Sequence, residues 1–183
     1  MSPRRRLPWA AAAVLLLLPV VPAQAETPPP PGLGIRLLDA PTERKDDPRA
    51  RVYVVDRVRP GAVLVRRVEV SNGDAASMQV LVYPAAATVE GGRFQVANRG
   101  TPGSVPQWTT VSPTSLHLAP GERAEVTVTI RVARDAAAGE VYGAVVAERP
   151  ARGAQVGVAL RTAVRMYLSV GQGAEPASDF RVD

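Results

Sequence analysis

The sequence predicts an all-β chain that folds as an antiparallel β-sandwich of about seven to nine strands. Apolar side chains recur at every second position, which is the period of a half-buried strand and not of a helix. Pro-Gly, Asn-Gly and Gly-Gly pairs separate the alternating segments and are typical of turns. The 183 residues include 18 prolines and 15 glycines, which favours short strands joined by frequent turns.

The clearest alternation lies in the second half of the chain. Residues 124–132 place Ala, Val and Ile at even positions, with Glu, Thr and Arg between them. Residues 156–170 repeat this pattern, and only Thr162 interrupts the apolar face. Tyr167 has the opposite parity, so its ring is expected to face outward. We predict a strand over residues 155–170, bent or divided near Thr162 because strands of this length are uncommon.

Shorter alternating segments complete the predicted sheets. The segment at residues 62–72 changes parity, because Val63 and Val65 lie on one face whereas Val68 and Val70 lie on the other. We predict a β-bulge at Arg66-Arg67, since one extra residue restores a single apolar face. The remaining predicted strands lie at residues 52–56, 78–82, 93–96, 115–118 and 141–148.

The first 25 residues have the pattern of a secretory signal peptide. Three arginines at residues 4–6 precede an apolar run over residues 7–21, and an Ala-Gln-Ala motif predicts cleavage after Ala25. The apolar run is shorter than the ~20 residues that a membrane-spanning helix needs. The alternative interpretation is an uncleaved anchor. Export without cysteine implies a domain that is held together by its core.

Four segments therefore divide the chain. Residues 1–25 are the signal peptide and residues 26–33 are a Pro-rich spacer. Residues 34–170 form the sandwich domain, and residues 171–183 are a linker or the start of a truncated second domain. The signal peptide predicts a secreted location.

The charge of the chain does not favour a nucleic-acid partner. The formal net charge is +5, but three of the 22 Lys and Arg residues lie in the signal peptide and no acidic residue does. Cleavage leaves 19 basic and 17 acidic side chains, a net charge of +2. The remaining basic residues are spread along the chain, so no phosphate-tracking patch is predicted.

Composition also argues against an enzyme. The chain has no cysteine and one histidine, His117, which excludes thiolate nucleophiles and multi-histidine metal sites. The acidic cluster around Asp46-Asp47 lacks the spacing of an EF-hand. We predict no catalytic residues, no metal and no cofactor. An exported hydrolase is a remaining alternative, which requires acidic or Ser/His groups converging in a cleft.

Binding is the better prospect, and six residues are candidates for it. Aromatic rings offer faces to sugars, although a lone Trp in a sandwich more often packs against the core. Guanidinium groups suit carboxylates and phosphates, although arginines on strands are commonly plain solvated residues. The predicted ligand-binding residues are Trp108, Tyr167, Arg66, Arg67, Arg161 and Arg165.

Several motifs together resemble a known family. They are the Val-Glu-Val-Ser-Asn segment at residues 68–72, Trp108 with the following Val-Ser-Pro at residues 111–113, and Leu-Ala-Pro-Gly-Glu at residues 118–122. A Gly-Glu-Val-Tyr-Gly segment follows at residues 139–143. The pattern is similar to the peptidoglycan-binding domain of WxL-interacting proteins from Gram-positive bacteria, over about residues 34–170.

The resemblance implies an immunoglobulin-like β-sandwich at the cell surface, associated with the cell wall, that binds peptidoglycan or another cell-wall polymer without catalysis. It also implies a WxL-type surface protein as a further partner. Members of the family usually carry a second domain and a C-terminal transmembrane anchor. This sequence ends at Asp183, so the expectation is either a fragment or a member that lacks both, with a membrane link only through an anchor absent from this chain.

A second function is left open by the residues themselves. A sandwich has edge strands, and an exported partner protein can add a strand to such an edge. The long predicted strand at residues 155–170 is the candidate edge. The alternative function is therefore a protein-interaction or chaperone-like module.

Overall fold

A computed structural model describes residues 29–39, 48–151 and 159–171 of the chain. Its strands form two packed sheets, which confirms the predicted immunoglobulin-like antiparallel β-sandwich. The predicted signal peptide and the predicted segment at residues 171–183 lie outside the described residues, apart from Gly171. No helix in the described ranges is long and apolar enough to span a bilayer.

Ten strands, one short helix and one 3-10 turn make up the described chain. The 3-10 turn covers Pro48–Arg51, between β1 and β2, and α1 is Ser104–Trp108, between β5 and β6. The strands are β1 (Leu33–Leu37), β2 (Val54–Val58), β3 (Val63–Asn72), β4 (Met78–Glu90), β5 (Arg93–Val96), β6 (Thr109–Ser112), β7 (Ser115–Leu118), β8 (Arg123–Arg131), β9 (Gly139–Arg149) and β10 (Leu160–Val170).

The first sheet has the order β1-β3-β8-β6, and all of its pairs are antiparallel. The second sheet has the order β2-β10-β9-β4, and β4 also pairs with β5 and with β7. The pairing of β2 with β10 is parallel. The N-terminal segment therefore contributes one strand to each sheet, β1 to the first and β2 to the second.

The core lies between the two sheets and consists mainly of valine. In β8 and β10 the inward side chains alternate with outward ones, as the period of two predicts. Branched aliphatic side chains suit this position because they pack well on a pleated surface. The fully buried members include Val68, Val70, Val80, Val82, Val126, Val128, Ile130, Val145, Met166 and Leu168.

The predicted β-bulge at Arg66-Arg67 is wrong. β3 keeps a single register with β8, from Val63 opposite Arg131 to Ser71 opposite Arg123. Val63 and Val65 instead point outward and are 60% and 52% exposed. The inward positions that the parity argument assigned to valines are taken by Leu64 and Arg66. The inward Arg66 is tolerated because a carboxylate from the other sheet meets it.

Some predicted strand boundaries also change. The strand predicted over residues 155–170 begins at Leu160, and residues 152–158 lie outside the described residues. β4 extends to Glu90, well beyond the predicted segment at residues 78–82. The short strands β1 and β6 were not predicted, whereas β7 coincides with the strand predicted at residues 115–118, which carries His117. Tyr167 lies on the outer face of the second sheet, as its parity indicated.

The end of β4 and β5 form a ribbon that curls over the outer face of the second sheet. In the strand order β5 is separated from β10 by β4 and β9, yet Phe94 on β5 contacts Tyr167 on β10. Val96 packs on an outer cluster that includes Ala144 and Ala163. We call residues 87–96 the ribbon. Small side chains beneath the ribbon allow it to approach the sheet.

Asn72, the last residue of β3, joins several turns at one end of the sandwich. Its side chain is fully buried, and its Nδ2 lies 2.9–3.0 Å from the carbonyl oxygens of Ala76, Leu118 and Ala119. Its Oδ1 accepts a hydrogen bond from the Asp74 N–H at 2.9 Å. The side chain thus holds the start of β4 against the turn between β7 and β8.

We predict that Asn72→Ala lowers the free energy of unfolding by about 3 kcal/mol, because it leaves buried carbonyl groups without donors. Urea denaturation of the mature chain measures this. Asn98→Ala is the matched control, since Asn98 is exposed and accepts a hydrogen bond from the Thr101 N–H with its backbone carbonyl. The control should change stability by less than about 0.5 kcal/mol. Equal effects at the two positions would contradict this role for Asn72.

Candidate functional site

The candidate site is the uncovered half of the β10 edge. β9 pairs with β10 over its whole length, from Leu160 opposite Arg149 to Val170 opposite Gly139. On the other side, β2 pairs only with Met166–Val170. No described strand pairs with residues 160–165 on that side. We call residues 160–165 of β10 the open edge.

The backbone of the open edge presents hydrogen-bonding groups outward. The Gly171 N–H donates to the Val58 carbonyl at 3.0 Å, so the odd-numbered residues of β10 direct their polar groups to the β2 side. Arg161, Ala163 and Arg165 therefore direct their N–H and C=O groups to the open edge. A row of this kind is a template for another strand.

The open edge exists because the N-terminal segment is divided between the sheets. β1 covers the edge of β3 at residues 68–72, and this pairing continues to Leu38, whose N–H donates to Arg67. The chain next joins the second sheet at Val54, beside Met166. Each sheet therefore keeps half of an edge uncovered by described strands, residues 160–165 of β10 and residues 63–66 of β3.

On the β3 half-edge, the side chain of Arg66 points inward and occupies one of the backbone acceptors. The Arg66 Nη2 donates to both Asp56 carboxylate oxygens, at 2.7 and 2.8 Å, and thereby links β3 to β2 across the sandwich. The Arg66 Nη1 donates to the Val65 carbonyl at 2.9 Å. That carbonyl points to the β3 edge, so the guanidinium occupies one of the groups that an added strand would need. Inward charges of this kind disfavour strand addition.

An aromatic cluster lies on the outer face at one end of the open edge. Tyr167 is at its centre, with ring centroids 5.8 Å from Tyr53, 5.3 Å from Phe94 and 5.9 Å from Tyr142. Arg165 lies over the rings of Tyr53 and Phe94, at 5.5 and 5.0 Å. Tyr53 immediately precedes β2, so this stack marks the point where the open edge ends.

A second group of polar side chains flanks the other end of the open edge. The Arg161 Nε lies 3.5 Å from a Glu148 carboxylate oxygen, and its Nη2 donates to the Ala97 carbonyl at 3.0 Å. Tyr83 donates its hydroxyl hydrogen to Glu148. Burial, followed by this hydrogen bond, raises the pKa of Tyr83 to about 12. The phenol therefore stays neutral at physiological pH and its donor role is kept.

The inner side of the open edge faces β1. Leu33 and Leu37 of β1 are buried, but Ile35 between them on the same face is only partly buried. On β10, Val164 is buried whereas Leu160 is 37% exposed. Both strands thus leave apolar surface accessible beside the open edge, where a neighbouring strand in the second sheet would cover it.

The structure brings three of the six predicted ligand-binding residues together and separates the others. Arg161, Arg165 and Tyr167 lie along the outer face of β10. Arg66 points inward to Asp56, contrary to its expected solvated position. Trp108 ends α1, where it is partly buried and packs against the core.

Arg67 lies on the outer face of the first sheet, away from the open edge. Its Nη2 is 2.7 Å from an Asp39 carboxylate oxygen, and its Nη1 is 3.3 Å from Glu125. The hydrogen bond from Arg67 lowers the pKa of Asp39 below its usual value. Arg67 is thus engaged in an exposed ion-pair network.

Sequence reasoning missed Tyr53 and Phe94, which complete the aromatic cluster. Tyr53 precedes a strand, so its parity gave little information. Phe94 alternates with Val96 in β5, but the curl of the ribbon that carries both to β10 has no local sequence pattern. From the sequence, both residues could be recognised as aromatic, but their position in the fold could not be assigned.

The described residues do not assemble a metal centre. No group of three or more His, Asp or Glu side chains in the described ranges is placed to hold a metal ion. His117 is exposed on β7, with its Nδ1 3.4 Å from the Gln79 Oε1.

Comparison with known proteins gives the fold and no family. No protein-family model matches the sequence, and no curated protein matches it. Among solved structures, the human CEP192 PapD-like domain has 15% identity and a TM-score of 0.43, over 89% of this chain and all of that domain. A chain from the Salmonella enterica SafA pilin and SafB chaperone complex has 12% identity and a TM-score of 0.43.

This chain spans only part of several of these proteins. The match to the Salmonella complex covers 76% of this chain and 55% of the other. A family 123 glycoside hydrolase from Clostridium perfringens has 11% identity and a TM-score of 0.49, over 76% of this chain and 27% of the enzyme. At these identities, the likeness concerns the sandwich architecture alone.

We predict that Asp56→Ala lowers the free energy of unfolding by about 3 kcal/mol, because it leaves the Arg66 guanidinium buried without its counter-ion. Replacing both residues, as in Asp56→Leu with Arg66→Met, should restore most of this loss. Chemical denaturation of the three proteins measures the coupling. Arg67→Ala is the control for an exposed pair and should cost less than about 1 kcal/mol. Additive losses in the double variant would show that the pair is not coupled.

Proposed function

We propose that this chain is an exported, non-catalytic module that binds a partner protein by adding one of the partner's extended segments to the open edge of β10. The observation that supports this most directly is the incomplete cover of β10, where β2 pairs only with Met166–Val170. The backbone groups of Arg161, Ala163 and Arg165 supply hydrogen bonds that any extended segment can make, independent of its sequence.

The surroundings of the open edge support the same function. The β3 half-edge on the same side of the sandwich carries the inward Arg66–Asp56 pair, whereas the open edge has Ala163 at its centre. A small neutral residue leaves room for a neighbouring strand. The open stretch is also as long as a typical strand, about five or six residues.

Export is part of the proposal and rests on the N-terminal sequence. The charged segment, apolar run and Ala-Gln-Ala motif in residues 1–25 match a signal peptide. The absence of cysteine suits an oxidising location, because the domain has no thiol that would require protection there.

Cell-wall binding is the second candidate, and one feature favours it. Arg165 is exposed beside tyrosine rings, a combination that suits a sugar polymer carrying carboxylates. However, the ring of Tyr167 is surrounded by three other rings, so it does not offer a free face. Retention of the mature chain on purified peptidoglycan, lost in Arg165→Ala, tests this candidate.

We predict that Ala163→Pro abolishes partner binding and leaves the fold intact. The Ala163 N–H points to the open edge and not to β9, so proline removes a hydrogen bond to the partner and none within the sheet. The measurement uses the mature chain with a photo-crosslinking residue at position 160, exposed to envelope proteins of the source organism. Mass spectrometry identifies the cross-linked partner segment.

Val65→Pro on the β3 half-edge is the matched control and should retain the cross-link. Amide exchange by NMR gives a second readout. In the free chain the N–H groups of Arg161 and Ala163 exchange faster than those of Thr162 and Val164, and in the complex all four are protected. A partner that binds Ala163→Pro as well as the unaltered chain would refute strand addition at β10.

A further inference from the structure

We propose that the segment received by the open edge alternates acidic and aliphatic side chains, with an acidic residue opposite Ala163. This inference rests on the proposed function and specifies the chemistry of the partner. A strand placed beside β10 directs alternate side chains to the outer and inner faces. The two faces of the open edge differ in charge and polarity, so they select different residues.

The outer face presents a positive charge that the described residues do not neutralise. Arg161 has Glu148 at 3.5 Å, whereas Arg165 contacts aromatic rings and has no described carboxylate within 4.0 Å. Arg99, over the Tyr83 ring at 5.2 Å, adds a further positive charge on this face. An incoming acidic side chain would gain a charge-assisted contact here.

The position of Arg165 is set before any partner arrives. Its guanidinium lies over both Tyr53 and Phe94, on two different elements, although the side chain as a whole is exposed. Stacking of this kind restricts an arginine without satisfying its hydrogen-bond donors. Less side-chain entropy is therefore lost when a carboxylate binds it.

The acidic position follows from sheet geometry. A residue paired with Ala163 has Arg161 and Arg165 as its diagonal neighbours on the same face, and these lie within reach of long side chains. Ala163 itself is too small to obstruct a glutamate directed to either side. The residue opposite Ala163 thus lies between two arginines.

The inner face selects aliphatic side chains. Ile35 on β1 is only partly buried, and Leu160 is 37% exposed on β10. Both lie on the inward faces of strands that pack against each other, and Val164, on the same face of β10 as Leu160, is buried. Residues on either side of the acidic position point to the inner face, and burying an aliphatic side chain there would contribute roughly 1.5–3 kcal/mol.

The test uses two fluorescent peptides of about nine residues, binding to the mature chain at low salt. One alternates Val and Glu, the other alternates Val and Lys, and both end in Thr. We expect the Glu peptide to bind at least about tenfold more tightly, with a preference that shrinks as salt screens the charges. Arg165→Glu should reverse the preference. Arg131→Glu, with the same charge change on the first sheet, should preserve it.

The outcomes separate this inference from the proposed function. Equal affinity for the two peptides, with both lost in Ala163→Pro, would overturn the acidic preference and support strand addition. Binding of the Glu peptide that is unaffected by Ala163→Pro would place it away from the open edge and overturn both. Binding of neither peptide would overturn the acidic-aliphatic occupant, and the cross-linking of the natural partner would then decide strand addition alone.

Discussion

The division of the N-terminal segment between the two sheets is the constraint on which the candidate site depends. Every strand has two edges of backbone donors and acceptors, and a chain segment that pairs in one sheet leaves the edge of the other sheet to a different segment. β1 completes the first sheet at β3, and β2 completes the second at β10. Because neither strand is long enough for a whole edge, each sheet keeps a half-edge that the described strands leave uncovered. The partner-binding proposal follows from this geometry.

The two half-edges are made unequal by a single ion pair. Arg66 is directed inward and joins Asp56 across the sandwich, with side-chain exposures of 18% and 10%. A buried pair of this kind adds little net stability compared with apolar residues, because the cost of desolvating both charges offsets their attraction. The guanidinium also occupies the outward Val65 carbonyl, which disfavours strand addition at β3. The β10 half-edge carries Ala163 at the equivalent central position, and no described strand covers it.

The sequence predicted those features that depend on local alternation. The strands β8 and β10, the inward valines and the outward Tyr167 all follow from a period of two, since burial repeats with the pleat. The wrong predictions involve residues whose contact partners are distant along the chain. Arg66 could not be assigned inward without Asp56 on the other sheet, and the expected bulge followed from that missing contact. β6 was not predicted, since it has only two buried side chains and directly follows α1.

The ribbon packs on the outer face of the second sheet and also contacts Arg165 beside the open edge. β9 has five consecutive buried residues in its middle, which a sheet with one solvated face does not require. The ribbon covers that outer face, and its Phe94 positions Arg165 while the Ala97 carbonyl, just beyond it, accepts a hydrogen bond from Arg161. Both arginines beside the open edge are thus fixed by a layer that the sandwich does not need for its core. Fixing them in the free protein lowers the side-chain entropy lost on binding, which is one of the costs of association.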